Sequence, residues 1–150
     1  MSRDSIGKYL GITRRAHIKL LDQKLKPYHL SHSQIFLLAS LYQKEGIIQH
    51  TLCEIHNIDK AAVGRSIDKL AKLGYLKKEP SSNDRRKKNI YLTKKAYAFQ
   101  ARFFEILDEV EAQLRADISP DAIDSFRSTI KQMAANLKQG GAKHGKQKQI

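Results

Sequence analysis

Residues 57–95, NIDKAAVGRSIDKLAKLGYLKKEPSSNDRRKKNIYLTKK, constrain this chain more tightly than any other stretch. Val63, Ile67, Leu70 and Leu73 recur every three or four positions, the stripe of a helix with one buried face. Asp59 stands where a carboxylate can cap that helix, and Gly74 stands where a helix stops. Two short apolar runs follow, Tyr75-Leu76 and Ile90-Tyr91-Leu92, and they bracket the polar segment KKEPSSNDRRKKN. That pattern predicts two strands joined by a basic turn. The remaining segments then serve to position a helix and a hairpin.

Charge follows the same stretch. Residues 59–95 hold twelve Lys/Arg and four acids, so eight of the thirteen net positive charges of the 150 residues lie here. A pI near 9.9 implies an anionic partner, either nucleic acid or an anionic membrane surface. No apolar run approaches the ~20 residues that a membrane span needs. The start, MSRDSIGKYLG, lacks the apolar region of a secretory signal, and the single cysteine cannot form an intramolecular disulfide. At 41% hydrophobic residues the chain reads as globular, soluble and cytoplasmic. No nucleophile–base pairing, phosphate loop or metal set is seen, so the expectation is a non-enzyme without a cofactor.

The flanks read mainly as helix. Residues 5–28 carry apolar residues at Ile6, Leu10, Ala16, Leu20 and Leu21. Ser31 and Gln34 have capping-box spacing, with Leu30 and Ile35 at the staple positions, and open a second helix through FLLASLYQ to about Lys44. A short third helix spans 49–56, with Asn57 in the left-handed turn position. Thr93 can cap a long helix, roughly 94–116, striped by Phe99, Phe103, Ile106, Val110 and Leu114. Ser119-Pro120 opens a last one, striped by Ile123, Phe126, Ile130, Met133 and Leu137 and ended by Gly140-Gly141. The basic tail, about 139–150, is expected to be disordered. The expected fold is mainly α: a winged helix-turn-helix lobe of about 30–95 with a two-stranded β wing, plus N- and C-terminal helices, in a single domain.

A recognition helix lies in the major groove with its first turns against base edges. Here those turns offer Lys60, Ala61, Ala62, Arg65, Ser66 and Lys69. Arg65 is the residue for direct readout, because a guanidinium fork matches guanine O6 and N7. The alanines can approach thymine methyls, and Gly64 leaves room for the backbone to come close. At the wing tip, Arg85 and Arg86 can enter a narrow minor groove, Asp84 can hold a neighbouring guanidinium, and Lys87 and Lys88 can add phosphate contacts. The plainer alternative is a solvated basic helix and a turn whose charges only keep edge strands apart. The coupling of helix to wing argues against it.

His50, Cys53 and His56 are spaced by three, like part of a metal site, but nothing nearby completes four ligands, so Cys53 reads as a small core residue. His29 and His32 read as helix-end histidines.

From Leu52 to Lys95 the sequence resembles the multiple-antibiotic-resistance regulator (MarR) family of bacterial winged-helix repressors. The shared features are the IDKAAV run from Ile58, Arg65, the GYL of Gly74–Leu76, the DRR of Asp84–Arg86 and the YLT of Tyr91–Thr93. Element order extends the resemblance to about residues 5–138. It implies a homodimer built from the helices at 5–28 and 94–138, and an inverted repeat of double-stranded DNA as partner. It also implies DNA roles for Arg65, Asp84 and Arg86. A crevice between lobe and dimer helices would take a small aromatic or anionic effector, for which Arg14, Arg15, His17, Phe36 and Phe103 are the expected lining. His56 and Cys53 depart from the family pattern. Residues 1–28 lack a sensor cysteine and 94–116 lack zinc-binding histidines. The expectation is a ligand-responsive repressor. The alternatives are a non-specific architectural DNA binder and a winged-helix protein-interaction module.

Overall fold

A computed structural model describes the backbone of residues 4–147 and the side chains of residues 4–138. The chain divides into two compact units, Met1–Val110 and Glu111–Ile150.

In the first unit, helix α1 (Ile6–Leu25) begins behind Ser5, whose hydroxyl accepts the Lys8 N–H, and ends in a 3-10 turn at Lys26–Tyr28. Ser31 and Gln34 form the expected capping box, the Ser31 N–H donating to Gln34 Oε1 at 2.8 Å. The first turn, His32–Gln34, is 3-10, and helix α2 (Ile35–Gln43) follows with Leu37, Leu38 and Leu41 fully buried. Strand β1 (Ile47–Ile48), helix α3 (Gln49–His56) and helix α4 (Lys60–Lys72) come next. Asn57 closes α3 in the left-handed region at φ 50°, and Asp59 caps α4 by accepting the Ala62 N–H at 2.9 Å. Both devices stand where the sequence has them.

The sheet has three strands. Strands β2 (Leu76–Pro80) and β3 (Lys88–Leu92) pair antiparallel, and β1 adds to the far edge of β3 through Ile47 opposite Ile90. The sequence reading predicted two shorter strands and missed β1. Hydrophobic patterning sees only the apolar ends, whereas Lys77, Lys78 and Glu79 join the ladder through their backbones. Gly46, at φ 74°, turns the chain into β1 and donates to Ile90 O.

Thr93 knits the wing to helix α5 (Lys94–Arg115): its hydroxyl donates to Gly74 O at 2.6 Å and accepts the Ala96 N–H. One core joins α2, α3, α4, the sheet and the first part of α5, with Leu52, Val63, Ile67, Leu70, Ile90 and Phe103 among its most buried members. Lys24 of α1 reaches Glu109 of α5 at 2.7 Å, and Arg102 joins the same carboxylate at 2.9 Å. These two cations hold the Glu109 carboxyl below the ordinary carboxylate range.

In the second unit, Ser119 accepts the Ala122 N–H and opens helix α6 (Pro120–Gln147). The expected stop at Gly140-Gly141 is not one, since α6 continues to Gln147. A glycine costs a helix about 1 kcal/mol relative to alanine, and the Ala, Lys and Gln around this pair favour helix. The side chains of the basic tail lie outside the described residues. None of residues 111–138 is buried, and Phe126 and Leu137 are among the most exposed apolar side chains of the chain.

Candidate nucleic-acid interface

The orientation of α4 follows from its stripe. Val63, Ile67 and Leu70 go fully into the core, so the opposite side must face out. Lys60, Ala61, Arg65 and Lys69 are exposed, and Ala62 is half-buried. Ser66 departs from expectation. It is only 5% exposed, and its hydroxyl donates to Ser33 O, one residue before Gln34. One position after Arg65 the helix has already rotated toward the core, so Ser66 holds α4 against the start of α2 and does not face outward.

Gly64 has a different reason than the one expected. A Cβ there would stand 3.2 Å from Gln49 Nε2, and that amide also donates to Lys60 O at 3.4 Å. The space left by the glycine is occupied by the first residue of α3, so Gln49 ties the two helices of the helix-turn-helix together.

The wing tip is organised by Asp84, again not in the expected way. Its carboxylate accepts the Arg86 backbone N–H at 3.0 Å, and its carbonyl accepts the Lys87 N–H, which makes a compact turn. Arg85, Arg86 and Lys87 are exposed on that turn. Asp84 therefore shapes the turn through the backbone and does not clasp a guanidinium.

The start of α4 and the wing share a cleft of about 300 Å³. Lys60 comes to it from the helix and Lys78, Arg86, Lys87 and Lys88 from the wing, with Ile90 as part of the wall. Alternation along the strands explains the selection: Lys78 shares a face with buried Leu76, and Lys88 shares one with buried Ile90. Lys77 and Glu79 point the other way and pair with each other at 3.5 Å. Lys78 also reaches back to Asp68 of α4 at 2.7 Å, and this contact holds the Asp68 carboxyl below its usual range. The sequence reading left out Lys78 and Gln49. Strand alternation was the signal for Lys78; Gln49 carried none.

The expected effector lining is not brought together. Arg14 and Phe36 do line a second cleft, of about 400 Å³, with His32, Ile58, Arg65 and Lys69. Arg15 lies with Ile18, Lys19 and Asp22 on another part of α1. Phe103 is 0% exposed among Tyr42, Phe99 and Phe104, so it can line nothing open. His17, half-buried on α1, lines neither of the clefts that hold Arg14 and Arg15. Periodicity placed each residue on its helix but could not say which stripe faced which neighbour.

Beside this cleft His32 is tied to α1. The Asp22 carboxylate accepts the His32 backbone N–H at 2.8 Å and lies 2.9 Å from its ring Nδ1. Burial alone would raise the Asp22 carboxyl, but these contacts outweigh it and leave the group lowered. His56 bonds Ser40 Oγ and meets the edge of Phe36, and burial lowers its pKa. His50 pairs with Glu54 at 3.0 Å, and Cys53 packs half-buried against the core, so the three residues spaced along α3 face separate surroundings.

The family model described as MarR matches residues 30–88, from the end of the 3-10 turn through the wing. Residues 30–88 are a MarR family domain. The chain is 28% identical over 92 residues to the uncharacterized helix-turn-helix-type transcriptional regulator YybA of Bacillus subtilis, a match spanning 61% of each chain. A MarR transcriptional regulator from Methanosarcina mazei superposes with a TM-score of 0.79 at 27% identity, over 89% of this chain and 96% of that one. A cysteine-to-serine mutant of MarR from E. coli, complexed with operator DNA, gives 0.78 at 20% identity over 85% and 92%. The mainly helical winged-helix fold with its small antiparallel sheet is thus the MarR fold. Among the described residues no helix is long and apolar enough to cross a membrane.

Proposed function

We propose that the protein is a dimeric, sequence-specific transcription regulator that binds an inverted repeat in double-stranded DNA. The observation that carries this reading is the common cleft of helix and wing. Lys60, at the exposed start of α4, and Arg86, Lys87 and Lys88, at the wing, face one space, so a duplex edge can meet both elements at once. Arg65 then stands over the major groove with Ala61, and Arg85 and Arg86 reach for the minor groove. The MarR family domain and the operator-bound structural neighbour support the same assignment.

The dimer is supported by uncovered apolar surface. Ile6, Tyr9 and Ile12 of α1 are exposed, and so are Ile118, Phe126 and Leu137 in the second unit. Amphipathic helices are stable when such stripes are buried, and a second copy is the partner that brings two recognition helices to two half-sites. Repression would be relieved by a small anionic effector. The cleft walled by Arg14, Arg65 and Lys69 is suited to a carboxylate, and its occupation would withdraw Arg65 from DNA.

The direct test selects bound fragments from a random duplex library at ~150 mM salt, conditions under which non-specific phosphate contacts are weak. Enrichment of one inverted repeat, with half-site centres about one helical turn (~34–36 Å) apart, is the expected result. Retention of DNA without enrichment would move the protein to the architectural class. No retention would leave the interaction module.

A further inference from the structure

Of the residues lining the cleft between α4 and the wing, Lys78, Lys88 and Gln49 were never needed to read bases. Lys78 and Lys88 sit on the inward face of the hairpin, two register positions apart, since Lys78 is opposite Ile90 and Lys88 is opposite Pro80. Diagonal neighbours of this kind are about 7–8 Å apart at Cα, close enough for two ammonium groups to converge on one oxyanion. Lys60 stands across from them, and the Gln49 amide is held at the start of α3 by Lys60 O. The acids nearby are already engaged: Glu54 by His50, Glu79 by Lys77, and Asp68 by Lys78 itself. An ammonium bonded to one carboxylate keeps two more donors. Ile90, buried beneath, makes part of the cleft wall apolar, where charge-assisted contacts strengthen.

We propose that this cleft is the seat of one backbone phosphate in each half-site, gripped by Lys78 and Lys88 with Lys60 opposite, and that Asp68 is the positioning residue that aims Lys78. The proposal rests on the DNA-binding reading and deepens it. Such a seat fixes how far the duplex backbone lies from α4 and from the wing at the same time. It therefore sets register while carrying no sequence information itself.

The test combines salt dependence with single neutral methylphosphonate substitutions stepped through the selected operator, using the full-length protein. Each lost phosphate contact lowers the slope of log K against log salt by about 0.9. Because the dimer carries each substitution at both half-sites, Lys78→Ala and Lys88→Ala are each expected to lower it by about 1.8 without changing which repeat is preferred; Lys26→Ala, remote from the cleft, leaves it unchanged. One methylphosphonate position per half-site should weaken the wild type, become silent in the Lys78→Ala/Lys88→Ala protein, and be partly silenced by Asp68→Asn with rescue by Asp68→Glu. Thermal melting of each variant shows that the fold is retained. Wild-type slopes in the variants, or methylphosphonate effects identical to wild type at every position, overturn the seat and leave DNA binding standing. Competition by pyrophosphate at constant ionic strength, without methylphosphonate coupling, assigns the cleft to a free phosphate and overturns the duplex as its source. A wild type that binds no duplex at any salt overturns the DNA reading and the seat together.

Discussion

Neighbouring residues of α4 stand in opposite surroundings. Arg65 is exposed and Ser66, next to it, is buried against Ser33. Arg65→Ala should cost about 1–3 kcal/mol of operator binding and relax preference at one base pair per half-site, read by competition with base-substituted operators. Ser66→Ala should instead cost about 1 kcal/mol of folding stability, measured by denaturant titration, because it leaves a carbonyl without its donor. It should leave base preference alone. His56 gives a third residue-scale expectation, with its sign set by burial. Its folded pKa lies below the ordinary value of about 6.5, so the unfolded chain takes up a proton first as the pH falls. Stability should therefore decline below about pH 6.5. The lowered carboxyls Asp22 and Glu109 act only in more acidic solution, because their contribution is lost as pH falls through depressed carboxylate values. Melting between pH 7.5 and 5 of the wild type and of His56→Gln, which keeps a partner for Ser40, should show the decline only in the wild type. Equal slopes would remove His56 from the account.

Elements were legible where local chemistry decides them. The Asp59 cap, the Ser31–Gln34 capping box, the left-handed Asn57 and the α4 stripe all follow from side chains within four positions of each other, and all stand as read. Strand β1 is two residues long and exists only because Ile47 finds Ile90, forty-three positions away. No local pattern announces such a partner. The same distinction separates the residues whose placement was legible from those whose placement was not. Exposure of Lys60, Arg65 and Lys69 follows from one helix's own stripe. The fate of Phe103 and Arg15 depended on which neighbouring element each stripe met. Asp84 was read as a side chain acting on a side chain, yet in a short turn the nearest donor is the backbone two residues on. The cap carries its own prediction. Asp59→Ala should destabilise the fold by about 1 kcal/mol, seen as a lower denaturation midpoint. It should also weaken operator binding, because the residues the cap orders, Lys60 to Ala62, are those that start the proposed recognition helix.

At the scale of the whole molecule the open surface is the informative quantity. The first unit buries a continuous core, whereas in the second none of residues 111–138 is buried, although Ile123, Phe126, Ile130, Met133 and Leu137 keep strict helical spacing along α6. A stripe maintained over five positions, with Ile123, Ile130 and Met133 half-buried and Phe126 and Leu137 exposed, is what the proposed packing against another chain would need. If that chain is a second copy, light scattering at micromolar protein should give twice the mass of one chain. Phe126→Glu should then return the mass of a monomer. The substituted side chain is 58% exposed in the single chain, so the variant should keep its circular dichroism. The loss should carry through to DNA. With two half-sites no longer linked, affinity for the full inverted repeat should fall by roughly 10²–10⁴, while affinity for an isolated half-site stays the same. A Phe126→Glu protein that remains dimeric and binds the repeat as tightly as wild type would place the dimer contact elsewhere, with exposed Ile6, Tyr9 and Ile12 of α1 the next surface to charge.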